Sequence, residues 1–354
     1  MSVEAEDANS PGAARPERRN AARRRRYLGI IGIIVVLLGV LEVATRVIDK
    51  HLPPPLVWQS FEAQRKVEEL DELSPRGVDV VFLGTSLVNA GVIPSVFDAN
   101  AGGVTSYNAA LSSGTPLLME AWALHVVLPR VHPKVVVIGV SSVDLTDAGA
   151  GSLAFYDAFR NSPGGRQALG IEDVSDRADR WLRDHVALWD HRAELRDPAT
   201  VIDAVRGEAP TEDAVAASMD PQGHLTNLDD QAFEQTHRSG IAGVSAWSLG
   251  TDEPNALRRL IAGVEAAGAR PVLVEMPVTA EYIASHPHGN TDYTAFKQAI
   301  TSIASSVNVT LIDLDQPRDH SLFADELHLN RTGATMLSTT LAHTMHDDGT
   351  LTQR

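Results

Sequence analysis

The sequence predicts an α/β protein: a three-layer α/β/α sandwich with a mostly parallel sheet, preceded by one N-terminal transmembrane helix. Three observations predict it. Short, almost wholly apolar runs at 78–84, 134–139 and 269–274 have the character of strands buried on both faces. Stretches with helical spacing alternate with the strand-like runs, which is the rhythm of a parallel sheet built from crossover units. An apolar stretch over 27–41 directly follows four consecutive arginines.

Taken in order, residues 1–26 come first. Their early part is rich in Ala, Glu, Pro and Arg and lacks apolar periodicity, so the segment reads as a disordered, basic, cytoplasmic tail. Residues 27–47 read as the transmembrane anchor. They would extend about 31 Å as a helix, at roughly 1.5 Å per residue, which matches a hydrocarbon core of about 30 Å. Glu42 and Arg46, four apart near one end, can pair and reach the interface. The cluster at 15–26, with seven Arg and one Glu, should stay cytoplasmic by the positive-inside rule. This places everything after residue 50 outside, in a single-pass cell-membrane topology. A cleaved signal peptide is the first alternative, with Val43-Ala44-Thr45 as a weak cleavage site, and Arg24-Arg25-Arg26-Tyr27-Leu28 faintly resembles a twin-arginine signal. A buried core helix is the second. The anchor and signal readings both leave the body outside the cytoplasm.

Residues 48–76 read as a linker and stalk: Leu52-Pro53-Pro54-Pro55 is a stiff exit, and 60–73 has helical spacing. The globular domain is expected over 77–346. Strands are expected at 78–84, 104–108, 134–139, 269–274 and 309–314, and helices at 94–99, 116–128, 254–267, 291–305 and 332–343. Residues 145–250 break this rhythm. They are polar and helical in propensity, clearest at 177–196, and too long for a simple loop, so they read as a helical insertion that caps or shapes the domain, with a separate domain as the alternative. Residues 347–354 form a C-terminal tail.

Composition narrows the chemistry. With 30 Lys+Arg against 46 Asp+Glu the net charge is −16. Residues 1–50 carry nine basic and six acidic groups, a net of +3, which leaves −19 on the body. An acidic body is a poor partner for nucleic acid. The absence of cysteine excludes disulfides, a thiol nucleophile and Cys-ligated metal. Neither a phosphate-loop nor a dinucleotide motif stands where it should, and no cofactor or metal is expected. His286, His288 and Asp292 could in principle ligate a metal but read better as a polar loop. His185, Trp189 and His191 in the insertion read as packing or surface residues.

Parallel sheets place ligand sites at the carboxyl ends of their strands. After the first expected strand stands Gly84-Thr85-Ser86, where a turn would expose the Ser86 hydroxyl beside backbone N–H groups. Before the last helix stands Asp325-Glu326-Leu327-His328. His328 can take the serine proton through one ring nitrogen while Asp325 holds the other. Taken singly, each has an ordinary reading: a capping serine, and a surface turn before a helix.

Taken together, Gly84-Thr85-Ser86 after the first strand and Asp325-x-x-His328 before the last helix resemble the SGNH, or GDSL-type, serine hydrolase superfamily. The resemblance covers about 78–344. It implies a flavodoxin-like sandwich, Ser86 as nucleophile, His328 as base and Asp325 as its orienting acid. Thr85 stands where the family has Asp. For the oxyanion hole the resemblance implies Gly114, in 106–114. The family's third block, Gly-x-Asn-Asp, is represented by 139–144, which lacks the Asn; Asn108 is the candidate to supply an amide instead. These departures also resemble the membrane-anchored branch that includes cell-envelope O-acyltransferases of the alginate-acetylation and D-alanylation type. The function expected is a membrane-anchored extracytoplasmic serine esterase, forming an acyl-enzyme on an ester of an envelope glycan or lipid. An O-acyltransferase using the same triad, and an inactive binding module on the same fold, are the alternatives.

Overall fold

A computed structural model describes residues 15–147, 150–208, 213–234, 244–315 and 318–351. The chain divides into two compact units, 1–55 with 177–211, and 56–176 with 212–354.

The larger unit holds five parallel strands: β1 (Val80–Leu83), β2 (Ser106–Asn108), β3 (Val135–Val140), β4 (Arg270–Glu275) and β5 (Thr310–Asp313). Their order is β2-β1-β3-β4-β5, with Val80 opposite both Ser106 and Val135. The order reverses at β1, so the β1 and β3 carboxyl ends form the crevice where such sheets take ligands. Every side chain of β1 and β3 is buried, which is why these runs carry no polar alternation.

Helices cover both faces. The last helix, Arg331–Asp347, packs on α3 (Ser86–Gly91) and α4 (Pro94–Asn100), whereas α5 (Pro116–Trp122) packs on the helix Asp252–Ala266. Right-handed crossovers place these two groups on opposite faces of the sheet. The helix after α5 loosens into a π turn at Ala123–Val127 just ahead of Pro129, whose missing N–H leaves a carbonyl one turn back without its usual donor.

The helix α2 (Phe61–Leu73) corrects the expected stalk. Its Ala63, Val67 and Leu70 are buried in the main core, so the sheet unit begins at residue 56 and not at 77. At the other end the final helix runs to Asp347 and Leu351 packs on the core, which shortens the expected tail.

The smaller unit is built on α1 (Arg15–Ile48), a single 34-residue helix. The helix starts well ahead of the apolar stretch, so the part of the expected tail from Arg15 onward is helical; Ala, Arg and Glu are good helix formers. Residues 1–14 lie outside the described residues. From Tyr27 to Val47 the large apolar side chains are about half or more exposed, from 49% to 69%. A core helix would bury them; on this one they stay exposed. Among the described residues, Arg23–His51 is the one helical stretch long and apolar enough to cross a membrane. The rest of the unit comes from the middle of the chain: residues 177–211, read above as part of one insertion, fold with α1 and not with the sheet.

Candidate active site

Ser86 is placed by a sharp change of direction. Gly84 takes φ +153, and a Cβ there would come within 2.8 Å of the Gly139 carbonyl, so only glycine lets β1 pass β3 this closely. Thr85 is extended, and its carbonyl accepts the N–H groups of Val88 and Asn89 at 3.1 and 3.0 Å, which starts α3. Ser86 is therefore the first helical residue, half-buried at the carboxyl end of β1. Thr85 fills the extended capping position, which does not call for an acidic side chain.

His328 and Asp325 are fixed from the opposite end of the chain. The Asp325 carboxylate accepts the N–H groups of Leu327 and His328, both at 2.8 Å, which closes a tight turn. Asn330 caps the last helix by accepting from Thr332 and Gly333, and it donates back to the carbonyls of Ser321 and Phe323. The turn carrying His328 is thereby locked to the helix that follows.

These elements converge. Ser86 Oγ lies 2.8 Å from His328 Nε2, and His328 Nδ1 lies 2.9 Å from Asp325 Oδ2. The histidine and aspartate side chains stay about one-fifth and one-quarter exposed, so the site is open to a ligand. Burial raises the Asp325 pKa, but the hydrogen bonds and charge of His328, with the Leu327 and His328 N–H groups, outweigh it and hold the carboxyl below its ordinary range. An ionised Asp325 only accepts, so Nδ1 carries the ring proton and Nε2 is left to accept from the Ser86 hydroxyl.

The two expected oxyanion donors are elsewhere engaged. Asn108 is fully buried. Its Nδ2 donates to the carbonyls of Val88 and Val92 at 2.8 and 2.9 Å, with Asn89 at 3.3 Å, and its Oδ1 accepts from Ala110. With both N–H bonds spent on carbonyls of α3 and of Val92 just past it, Asn108 has no donor to offer the site; it holds the helix that carries Ser86. Gly114 donates its N–H to the Leu111 carbonyl at 2.8 Å, closing a turn whose Leu111 N–H bonds Gly84. Ser86 and Leu87 open α3, so their first-turn N–H groups have no intrahelical carbonyl.

The segment after β3 is closed on itself. Asp144 accepts from the Ser141 N–H at 2.7 Å and its hydroxyl at 3.1 Å. Burial pushes the Asp144 carboxyl up to about 7 from an ordinary 3.8, against those hydrogen bonds. The folded state thus holds a proton that the unfolded chain has lost, and Asp144 withdraws stability as pH rises through about 7. Asp144→Asn keeps an acceptor for Ser141 and removes the buried charge. Its denaturation midpoint is expected to exceed that of the parent above pH 7 and to converge with it toward pH 4, as measured by urea unfolding across that range.

Ser142 sits 2.8 Å from both Tyr282 Oη and His286 Nε2, all buried. His286 faces inward while the exposed His288 pairs with Asp292, so these three residues do not converge on one point. Glu275, Asp313 and Asp315 do converge at the ends of β4 and β5. The Lys297 ammonium already stands among them, 3.1, 3.1 and 3.3 Å away. Burial raises Glu275 to about 7.

Behind α3 lies a network that sequence reasoning missed. The wholly buried Lys66 donates to Asn89 Oδ1 at 3.0 Å and to the carbonyls of Asn108 and Gly223 at 2.7 Å. Burial draws its pKa down to about 8. Glu62 accepts from Asn89 and from the Ser112 N–H. The signal was the position of Lys66 three residues after Ala63 and four before Leu70, on the apolar stripe of α2.

No family profile matches the chain, and no curated protein is similar to it in sequence. Solved structures similar to it include the psychrotrophic esterase EstA from Pseudoalteromonas sp., with 14% identity, 78% of this chain and 99% of that one covered, and a TM-score of 0.38. A GDSL-like lipase from Bacteroides thetaiotaomicron has 9% identity over 82% and 100% of the two chains, at a TM-score of 0.41. An aryl esterase of M. smegmatis has 11% identity over 77% and 99%, at 0.39.

Proposed function

We propose that the chain is a membrane-anchored serine esterase of the SGNH/GDSL type. The observation that carries this reading is the unbroken relay from Ser86 through His328 to Asp325 at 2.8 and 2.9 Å, on the ligand-binding edge of the sheet. Ser86 Oγ attacks an ester carbonyl while His328 Nε2 takes its proton. The negative oxygen of the tetrahedral intermediate is met by the N–H groups of Ser86 and Leu87 at the start of α3. His328 then returns the proton to the departing alcohol, leaving an acyl group on Ser86. Water, deprotonated by the same histidine, releases the acid and restores the hydroxyl. Asp325 keeps the ring oriented and stabilises the imidazolium throughout.

The substrate proposed is an ester on a glycan or lipid of the cell envelope, because the exposed apolar helix beside Arg23–Arg26 would hold the body at the membrane on the side away from those arginines. Membranes carrying the full chain are expected to hydrolyse 4-nitrophenyl acetate, and the Ser86→Ala variant is expected not to. Equal hydrolysis by the two would remove the assignment. For topology, a reporter fused after Arg354 is expected to be active only when exported; cytoplasmic activity would reverse the orientation.

A further inference from the structure

The carboxylate of Glu42 sits within the expected span, yet it is not left to snorkel alone. Its two oxygens accept the backbone N–H groups of Ala187 and Leu188 at 3.0 and 2.9 Å. Arg46, one turn on, donates to Glu42 at 2.7 Å and to the carbonyl of His185 at 2.8 Å. Asp49, just past α1, pairs with His191 at 2.7 Å. The segment around 185–191 is thus bound along the last turns of α1.

These bonds fix a depth. If Tyr27, after the arginines, marks one edge of the hydrocarbon, a core of about 30 Å reaches Val47 at roughly 1.5 Å per residue. Glu42 is then about 7 Å short of the far edge. A carboxylate at that depth is costly unless partnered, and its partners are the first N–H groups of the short helix Ala187–Asp190. The segment bonded to it therefore lies at the rim of the hydrocarbon, within about 7 Å of the headgroups.

Its side chains suit that level. Trp189 follows Leu188 directly, and Trp181 lies one turn before His185. They are 39% and 57% exposed, unlike the buried Trp122 and Trp247. Each has polar company as well: the Trp189 indole donates to Asp179 at 2.8 Å, and Trp181 stacks on His185. Tryptophan with an apolar body and a wet rim is the characteristic residue of the bilayer interface. On the next helix Ile202 and Val205 are also exposed. Residues 177–211 hold six Arg and seven Asp or Glu, so the segment approaches a headgroup layer almost without net charge, in contrast to the acidic body.

We infer that residues 177–206 form a membrane-interface collar on the anchor, with Trp181 and Trp189 embedded in the headgroup region of the leaflet that α1 enters last. This rests on the reading of α1 as a membrane span. The test is tryptophan quenching in the full chain reconstituted into phosphatidylcholine–phosphatidylglycerol vesicles, with acyl chains brominated either near the headgroup or near the midplane. Emission lost in the Trp181→Phe/Trp189→Phe double variant is expected to be the emission that shallow bromine quenches, with little effect from deep bromine. Glu42→Ala is expected to stay in the vesicles through an alkaline wash while losing most of the shallow quenching. Unquenched Trp181 and Trp189 in protein that still floats with washed vesicles would overturn the collar alone. Protein that does not float would overturn the anchor, and the collar with it.

Discussion

Replacing His328 with alanine is expected to lower kcat on an activated ester by about 10⁵–10⁶-fold, as is replacing Ser86, because either loss removes the whole proposed nucleophile–base unit. The double variant should be no worse than either single one. Asp325→Asn should lose less, roughly 10⁴-fold, since Asp325 orients a proton carrier without itself moving a proton. The turn at Asp325 also accepts two backbone N–H groups, and an Asn oxygen can keep both. The variant is therefore expected to fold, which its thermal midpoint checks. Losses as large for Asp325→Asn as for His328→Ala, in folded protein, would mean that Asp325 does more than orient the ring.

Asn108→Ala is expected to act on the fold and not on the chemical step. Three α3 and adjacent carbonyls take the Asn108 amide, and its own oxygen serves Ala110. Each buried polar group left without a partner costs about 1–3 kcal/mol. The variant should unfold at clearly lower urea. Its kcat, normalised to titrated active sites, should stay within a small factor of the parent. A fall in kcat of about 10²-fold at unchanged stability would instead return Asn108 to the oxyanion hole.

The contrast between Asn108 and Ser86 shows how far the sequence is legible. β3 and β4 have apolar runs with sharp ends, so their boundaries are readable to within a residue, and the position of Ser86 and of Asp325-x-x-His328 follows from strand ends and one helix start. The direction of a side chain at a strand end is a different matter. Asn108 stands at the end of β2 beside β1, and whether its amide turns to the crevice or to α3 depends on which carbonyls α3 leaves open. That depends on a short helix, Ser86–Gly91, whose existence has almost no periodic signal. The partner of Glu42 was illegible for a similar reason. Nothing local to 42 or 187 records a hydrogen bond across 145 positions of chain, and the polar insertion carries no local mark of where it divides between the two units. Lys66 is the opposite case, since its phase on α2 was visible and its charge concealed it.

The proposed function rests on Ser86 being a nucleophile armed by His328. Covalent labelling tests it most directly. A fluorophosphonate probe is added to the membrane-bound full chain, and the modified peptide is located by mass spectrometry. One label is expected, on Ser86, lost in Ser86→Ala and strongly slowed in His328→Ala. A folded chain that takes no label, or a label that persists in Ser86→Ala, would contradict it.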